Sequence, residues 1–255
     1  MRGAVTLLAS LGAVYLALCA ALFIFQRALI YFPQPRAAGP TASVMTLATA
    51  QATLQISTRP LPGPKALVYF GGNAEDVSLS LPGLAAAFAD HAIYLLHYRG
   101  YGGSSGAPSE AALIEDGLAL FDKVHAEHAD VVVIGRSLGS GVAIQVASQR
   151  RAARLVLVTP FDSLEDLAAS HYPMFPVRWL LRDTYRSSDF APRVTAPTTI
   201  VAAEHDEVIP HKSAELLFTR FAKGIATFEV LPGMGHNTIE RSPRYWGAVR
   251  GATRG

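Results

Sequence analysis

The residues best suited to chemistry lie in the stretch VVVIGRSLGSG at positions 131–141. Its β-branched residues are typical of a buried strand, and they run directly into a Gly-x-Ser-x-Gly pattern centred on Ser137. A run of small residues typical of a helix follows at 138–148, so the segment predicts a strand, a sharp turn and a helix. Gly135 and Gly139 suit such a crowded turn because neither has a Cβ. The stretch predicts a nucleophilic hydroxyl at Ser137, with the Leu138 N–H aimed at a developing oxyanion.

Gly-x-Ser-x-Gly alone is a weak signal, and a plain strand-to-helix turn with a capping serine fits the same letters. A serine hydroxyl also needs a base, because it is a weak nucleophile at neutral pH. Two later loops supply the partners: Asp206 follows the predicted strand 199–202, and His236 follows the predicted strand 227–231. The order Ser137, Asp206, His236 is one of the chain orders of Ser-His-Asp triads, with the histidine as base and the aspartate orienting it.

Other acidic residues compete for the role of Asp206. Asp162 follows the predicted strand 155–158 and is the alternative acid, although N-capping of a helix at 164–169 is the interpretation that its position favours. Asp206 also fits an ordinary loop carboxylate. Glu204 and Glu207 are expected to be solvated, and Arg136 is expected to pack or pair beside the site.

Strands that are apolar throughout alternate with amphipathic helices over most of the chain, which predicts a parallel sheet with helices on both faces. The predicted inner strands are 66–70, 93–96, 131–134, 155–158, 199–202 and 227–231. Residues 52–58 are predicted as an edge strand, and His236 is predicted to begin the final helix. The other predicted helices are 75–89, bent or split at Pro82 and Gly83, and 110–127.

The N-terminal residues 4–25 contain neither charge nor proline and are long enough to cross a bilayer. An uncleaved signal anchor is the favoured interpretation; a leader cleaved or lipidated near Cys19 and a buried soluble helix remain open. Arginines on both sides leave its orientation undecided. The predicted domains are an anchor at 1–27, a juxtamembrane segment and linker at 28–51 with a loop at 34–41, and an α/β domain at 52–255.

Composition argues against several function classes. The net charge of +2, without a basic cluster, argues against nucleic-acid binding. A single cysteine, Cys19, excludes an intrachain disulfide and thiolate zinc sites, and no histidine pair has metal-ligand spacing. We therefore expect neither a metal nor a cofactor.

Several motifs together resemble one family. They are QRALIYFP at 26–33, YFGGNA at 69–74, YRGYG at 98–102, PSE at 108–110, GRSLG at 135–139, TPFDS at 159–163, HDEVIP at 205–210 and GH at 235–236. The chain resembles the α/β-hydrolase superfamily and, within it, the membrane-anchored Bem46-like group of serine hydrolases. The resemblance implies an α/β-hydrolase fold behind a transmembrane helix, and hydrolysis of an ester, thioester or amide through an acyl-enzyme.

The chain departs from that family pattern at two positions. Relatives usually carry His-Gly-Asn where this chain has Gly71-Gly72-Asn73, which is expected to loosen the loop while Asn73 or Ala74 still supplies an oxyanion-hole N–H beside Leu138. Relatives also tend to have Asp where this chain has His97, a change without a physical explanation from sequence.

A short segment at about 161–192 is predicted to form a small helical rim over the site. Its large side chains fit either an acyl pocket or a simple cover for the sheet; they are Tyr172, Met174, Phe175, Trp179 and Tyr185. The anchor favours substrates at the membrane, such as acyl-lipids or acylated proteins. The second hypothesis is a catalytically silent scaffold of the same fold that binds partners at the membrane.

Overall fold

The computed structural model describes residues 1–37 and 43–251. Its strands are β1 (Ser43–Ala48), β2 (Thr53–Arg59), β3 (Lys65–Phe70), β4 (Ala92–Leu96), β5 (Asp130–Arg136), β6 (Arg154–Val158), β7 (Thr198–Ala203) and β8 (Ala226–Leu231). They form one sheet in the order β1-β2-β4-β3-β5-β6-β7-β8. Neighbours from β4 to β8 pair in parallel, whereas β2 pairs antiparallel with both β1 and β4. The predicted mostly parallel sheet is confirmed.

The helices are α1 (Arg2–Ile30), α2 (Leu81–Ala87), α3 (Glu110–His125), α4 (Leu138–Ala147), α5 (Leu164–His171), α6 (Val177–Leu180), α7 (Ser187–Phe190), α8 (His211–Phe218) and α9 (Tyr245–Val249). Two buried clusters cover the two faces of the sheet. Alternate residues of β3 belong to different clusters: Val68 packs with α3 and α4, whereas Leu67 packs with α2 and α9. Helices therefore cover both faces, as the sequence predicts.

Two local predictions need correction. Residues 52–58 do not form an edge strand, because β1 pairs outside β2 and starts the sheet within the expected juxtamembrane segment. His236 does not begin a helix; it lies in the loop before a 3₁₀ turn at Ile239–Arg241. The predicted split of helix 75–89 is confirmed, with a 3₁₀ turn at Val77–Ser80 preceding α2 and its Pro82. Positions 38–41 of the predicted loop 34–41 lie outside the described residues, as do 252–255 of the predicted domain.

Helix α1 satisfies the length and hydropathy requirements of a membrane span. It contains 29 residues, and its most apolar window has a mean hydropathy of 2.4 with 6% of the window buried. The rim consists of α5, α6, α7 and their connections, close to the segments predicted from sequence. Helix α1 and the rim meet at the edge of the site described next.

Candidate active site

Ser137 occupies a strained turn between β5 and α4. Its φ is +50°, a conformation that costs a non-glycine residue about 1–3 kcal/mol. Surrounding hydrogen bonds hold it there: the Ser137 N–H donates to the Val158 carbonyl at 2.9 Å, and the Ser137 carbonyl accepts from the Ser140 hydroxyl at 2.6 Å. The turn thus presents the hydroxyl at the C-terminal end of the central strand.

The glycines of the motif are required by close backbone packing. A Cβ on Gly135 would overlap the Gly139 carbonyl, and a Cβ on Gly139 would overlap the Phe70 carbonyl at the end of β3. Helix α4 therefore lies against two strand ends at once. Because the backbones approach this closely, only glycine fits at positions 135 and 139.

The structure brings the three predicted triad residues together. His236 Nε2 lies 3.0 Å from Ser137 Oγ, and His236 Nδ1 lies 2.9 Å from Asp206 Oδ2. The His236 and Asp206 side chains are only 6% and 3% exposed. Asp206 Oδ1 accepts backbone N–H groups from Val208 at 2.9 Å and Ile209 at 2.7 Å, which fixes the carboxylate. With Nδ1–H bound to Asp206, His236 Nε2 is free to accept a proton from Ser137.

The competing acids have other contacts. Asp162 accepts a short hydrogen bond from the Ser213 hydroxyl. It does not cap α5 either, since Ser163 accepts the Asp166 N–H at 3.1 Å as the N-cap, so the capping prediction is wrong by one residue.

Glu204 and Glu207 are exposed as predicted, but both also hold the loop that carries His236. Glu207 accepts the His236 N–H at 3.0 Å, and Glu204 accepts the Gly233 N–H at 2.7 Å. Sequence reasoning missed these contacts. The sequence signal for these contacts is that both glutamates lie within two residues of Asp206.

The loop after β3 lies beside Ser137. A Cβ on Gly72 would be 3.6 Å from the Ser137 Cβ, and Asn73 and Leu138 both line the cavity above it. The Ala74 N–H donates to Asn73 Oδ1 at 3.0 Å, so it is already engaged. Among residues 1–37 and 43–251, the Asn73 N–H has no hydrogen-bond acceptor. The arrangement therefore favours Asn73 over Ala74 as the second donor beside Leu138.

A partly buried carboxylate that sequence reasoning missed, Glu75, supports this loop. Glu75 accepts the Gly72 N–H at 2.6 Å and the Tyr69 hydroxyl at 2.8 Å, and it pairs with Arg136 at 3.3 Å. Burial and the Glu75 charge raise the pKa of Tyr69 well above its ordinary value, so its phenol remains a donor. The predicted helix 75–89 includes Glu75 and gives no sign of this role, whereas the expected pairing of Arg136 beside the site is confirmed.

Gly71 leaves the space that Glu75 uses. A Cβ at position 71 would overlap the Val77 side chain and lie 3.2 Å from a Glu75 carboxylate oxygen. The loop expected to be loose is therefore held by Glu75 instead of an imidazole at position 71.

The other departure, His97, also has a structural explanation. Its Nε2 lies 2.8 Å from the Ser57 hydroxyl, and a Cβ on Gly102 would overlap its ring. Burial, with nearby Arg36 adding to it and Asp76 opposing it, lowers the pKa of His97 to about 4. A neutral imidazole thus packs inside the 97–106 loop.

An apolar cavity of about 630 Å³ opens above Ser137. Of the predicted rim side chains, Tyr172 and Phe175 line it, whereas Tyr185 is buried and hydrogen-bonded to the Tyr31 hydroxyl at 2.9 Å. Met174 and Trp179 do neither and are exposed. Helix α1 also lines the cavity, which the sequence did not predict; its contributing residues are Leu22, Gln26, Leu29 and Ile30.

The chain is similar in sequence to several known proteins. No family model matches the chain. It is 36% identical over 239 residues to an uncharacterized protein of Mycobacterium tuberculosis, covering 84% of this chain and 82% of that protein. It is 31% identical over 211 residues to the lysophosphatidylserine lipase ABHD12 of Xenopus tropicalis, covering 69% of this chain and 54% of that one. It is 29% identical over 184 residues to protein bem46 of Schizosaccharomyces pombe, covering 67% of this chain and 61% of that one.

The fold matches solved structures. The Pyrococcus furiosus esterase Pf2001 superposes with a TM-score of 0.69 at 15% identity, over 87% of this chain and 95% of the esterase. At that identity the match shows the fold alone. The chain spans little more than half the length of the two eukaryotic relatives named above.

Proposed function

This chain is a Bem46-like α/β hydrolase, and we propose that it is a serine hydrolase that cleaves acyl esters, with thioesters and amides as related substrates. One observation carries the proposal. Ser137, on a strained backbone turn, is hydrogen-bonded to His236, which is hydrogen-bonded to Asp206, and Ser137 lines an apolar cavity. The scaffold hypothesis has less support, because the loop departure that favoured it is compensated by Glu75.

In the proposed mechanism, Ser137 Oγ attacks the acyl carbonyl while His236 Nε2 takes its proton. Asp206 stabilises the imidazolium, and the Leu138 and Asn73 N–H groups bind the oxyanion. His236 then protonates the leaving oxygen, which departs as the alcohol. Water, deprotonated by His236, attacks the acyl-enzyme, and the proton returns to Ser137 as the acid leaves. The proposed reaction steps use no cofactor.

The proposed substrate class is the acyl ester of a membrane lipid. The cavity is lined mostly by aliphatic and aromatic side chains, which suit an acyl chain. A relative bears the name lysophosphatidylserine lipase, which supports a lipid ester. Helix α1 is proposed as an uncleaved anchor. The proposed domains remain an anchor at 1–27, a juxtamembrane segment at 28–51 and a hydrolase domain at 52–255, with the rim at about 161–192 and with β1 extending the sheet into the juxtamembrane segment.

Turnover of an ester series by the purified full chain tests the proposal. Ser137→Ala and His236→Ala are each expected to lower kcat by about 10⁴-fold or more. Ser148→Ala, at the far end of α4, is the matched control and should retain the wild-type rate. A near-background wild-type rate that Ser137→Ala does not change would contradict the proposal and favour the scaffold.

A further inference from the structure

The second half of α1 is bound to the rim along several turns. Near its middle, the Tyr15 hydroxyl donates to the Met174 carbonyl at 2.9 Å, and the Tyr15 ring stacks on Phe175 at 6.0 Å. Near its end, Gln26 donates to the Leu180 carbonyl at 3.0 Å and accepts the Arg182 N–H at 2.7 Å. At a rise of about 1.5 Å per residue, these contacts cover roughly 16 Å of the helix.

The extent of these contacts along α1 determines how deep the rim lies in the bilayer. The apolar run 4–25 is about 33 Å long as a helix, close to the roughly 30 Å hydrocarbon core of a bilayer. Tyr15 lies at the middle of this run, so a rim that reaches Tyr15 reaches into one leaflet whenever α1 spans the core. Just past the end of this run, rim backbone groups satisfy both ends of the Gln26 amide.

The outer surface of the rim has the composition expected at that depth. Trp179, Met174 and Tyr172 are 88%, 71% and 60% exposed, and they lie on the segment that contacts α1. Large apolar side chains exposed together are typical of a surface that meets another apolar phase, and Trp and Tyr are enriched at the membrane interface. Continuity with α1 indicates a lipid bilayer as the phase that covers them.

The cavity lies between these same two elements. On α1, Leu22, Leu29 and Ile30 line it, and on the rim Tyr172, Phe175 and Leu180 do so, with Ser137 in the same lining. From Leu22 to Ile30 the α1 wall is about 12 Å long. An acyl chain lying along this wall would bring its ester to Ser137 without crossing water.

We propose that the cavity opens into the bilayer between α1 and the rim, and that a long-chain lipid ester enters sideways with its acyl chain along α1. This inference rests on the proposed function and deepens it. Helix α1 is then one wall of the acyl-binding site as well as an anchor, and the exposed rim side chains lie in the surrounding lipid.

Two matched substitutions on α1 test the entry route. Leu22→Trp places a larger side chain in the cavity wall, whereas Ile24→Trp makes the same kind of change at an exposed position outside the lining. The measurement is the rate for an oleoyl ester in phosphatidylcholine vesicles divided by the rate for an acetyl ester in solution. Leu22→Trp is expected to lower this ratio about tenfold, and Ile24→Trp to leave it unchanged. An unchanged ratio for Leu22→Trp would overturn the route.

Tryptophan fluorescence tests the depth of the rim without any turnover. The chain contains two tryptophans, so Trp246→Phe leaves only Trp179 and Trp179→Phe leaves only Trp246, which packs with α2 on the other face of the sheet. In vesicles of phosphatidylcholine brominated on its acyl chains, Trp179 emission is expected to fall severalfold relative to unbrominated vesicles, and Trp246 emission to stay constant. Equal emission changes for both would overturn the embedded rim even if the enzyme proved active, whereas an inactive wild-type protein would remove the proposed function instead.

Discussion

Two groups of polar side chains pack against the same sheet, and they differ in what they face. The triad group is Ser137, Asp206 and His236, and its serine lines the cavity. The second group, here called the loop network, consists of two contacts made by the loop after β4: His97 bonds Ser57 on β2, and Arg99 forms two 2.8 Å hydrogen bonds to Asp116 on α3, with all four residues buried. Burial and charge are thus common to both groups, and access to a cavity distinguishes them.

This difference predicts opposite consequences for substitutions. Changes in the triad group are expected to lower the rate while the free energy of unfolding stays nearly constant. Changes in the loop network are expected to lower the free energy of unfolding while the remaining folded protein keeps its rate. A triad substitution that mainly lowers the free energy of unfolding, or a loop-network substitution that mainly lowers the rate of the folded protein, would contradict this distinction.

Among the substitutions of Asp206, Asp116, His97 and Glu75, the largest effect is expected at Asp206. Asp206→Asn should lower kcat by up to about 10⁴-fold, because the neutral amide no longer holds His236 in the reactive tautomer or stabilises its cation. Asp162→Asn is the control and should change kcat by less than about threefold, since Asp162 bonds Ser213 and not His236. Steady-state kinetics on both variants decide the assignment; a larger loss from Asp162→Asn would reverse it.

Removal of Asp116 tests the loop network. Asp116→Ala leaves the buried Arg99 guanidinium without its main partner, and we expect the free energy of unfolding to fall by about 3–5 kcal/mol. Asp122→Ala breaks the half-exposed pair with Arg150, which should contribute at most about 1 kcal/mol. Thermal melts of the two variants provide the comparison. Similar melting temperatures for the two variants would show that the buried Arg99–Asp116 pair contributes no more to the free energy of unfolding than the half-exposed pair.

His97 predicts a pH dependence of stability. Its pKa of about 4 in the folded protein lies below the ordinary value of about 6.5, so below pH 6.5 the unfolded chain binds a proton that the folded protein does not. The free energy of unfolding should therefore fall as pH decreases from about 6.5 to 4, by about 3 kcal/mol in total.

The control for this prediction is His97→Gln, which keeps a side chain able to bond Ser57 but does not titrate. Melting temperatures of wild type and variant, measured from pH 8 to pH 4, should converge as pH falls. Parallel curves over the whole range would exclude His97 as the source.

The smallest expected effect belongs to Glu75, which supports the 71–74 loop of the proposed oxyanion donor Asn73 from outside the cavity. Glu75→Gln keeps the shape but weakens the bond to the Gly72 N–H, so kcat should fall about tenfold, or about 1.4 kcal/mol, with KM nearly unchanged. Glu127→Gln, at an exposed ion pair, is the control and should have no effect on kcat. A change confined to KM would place Glu75 in substrate binding instead of loop positioning.

Sequence was sufficient where the determinants are local. The predicted positions of Ser137, Asp206 and His236 follow from short motifs after apolar strands, and parallel strands bring their ends to one edge of a sheet. The inner strands are predictable for the same reason, since successive residues such as Val133 and Ile134 are buried on opposite faces of the sheet.

Sequence was insufficient where distant segments meet. Strand β1 is largely exposed and lacks a strong apolar pattern, so its pairing with β2 depends on the sheet already being present. The contact of Glu75 with the 71–74 loop and the contact of Gln26 with Leu180 likewise depend on how separate elements pack. The residue types at positions 22–30 do not distinguish a cavity wall from a surface that faces only lipid.

Labelling with a fluorophosphonate probe tests whether Ser137 is an activated nucleophile, because the probe reacts with a serine only when base and oxyanion hole are assembled around it. We expect the wild-type chain to be labelled at Ser137, Ser137→Ala not to be labelled, and Ser148→Ala to be labelled like wild type. A folded wild-type protein that remains unlabelled, or a label that persists in Ser137→Ala, would contradict this expectation.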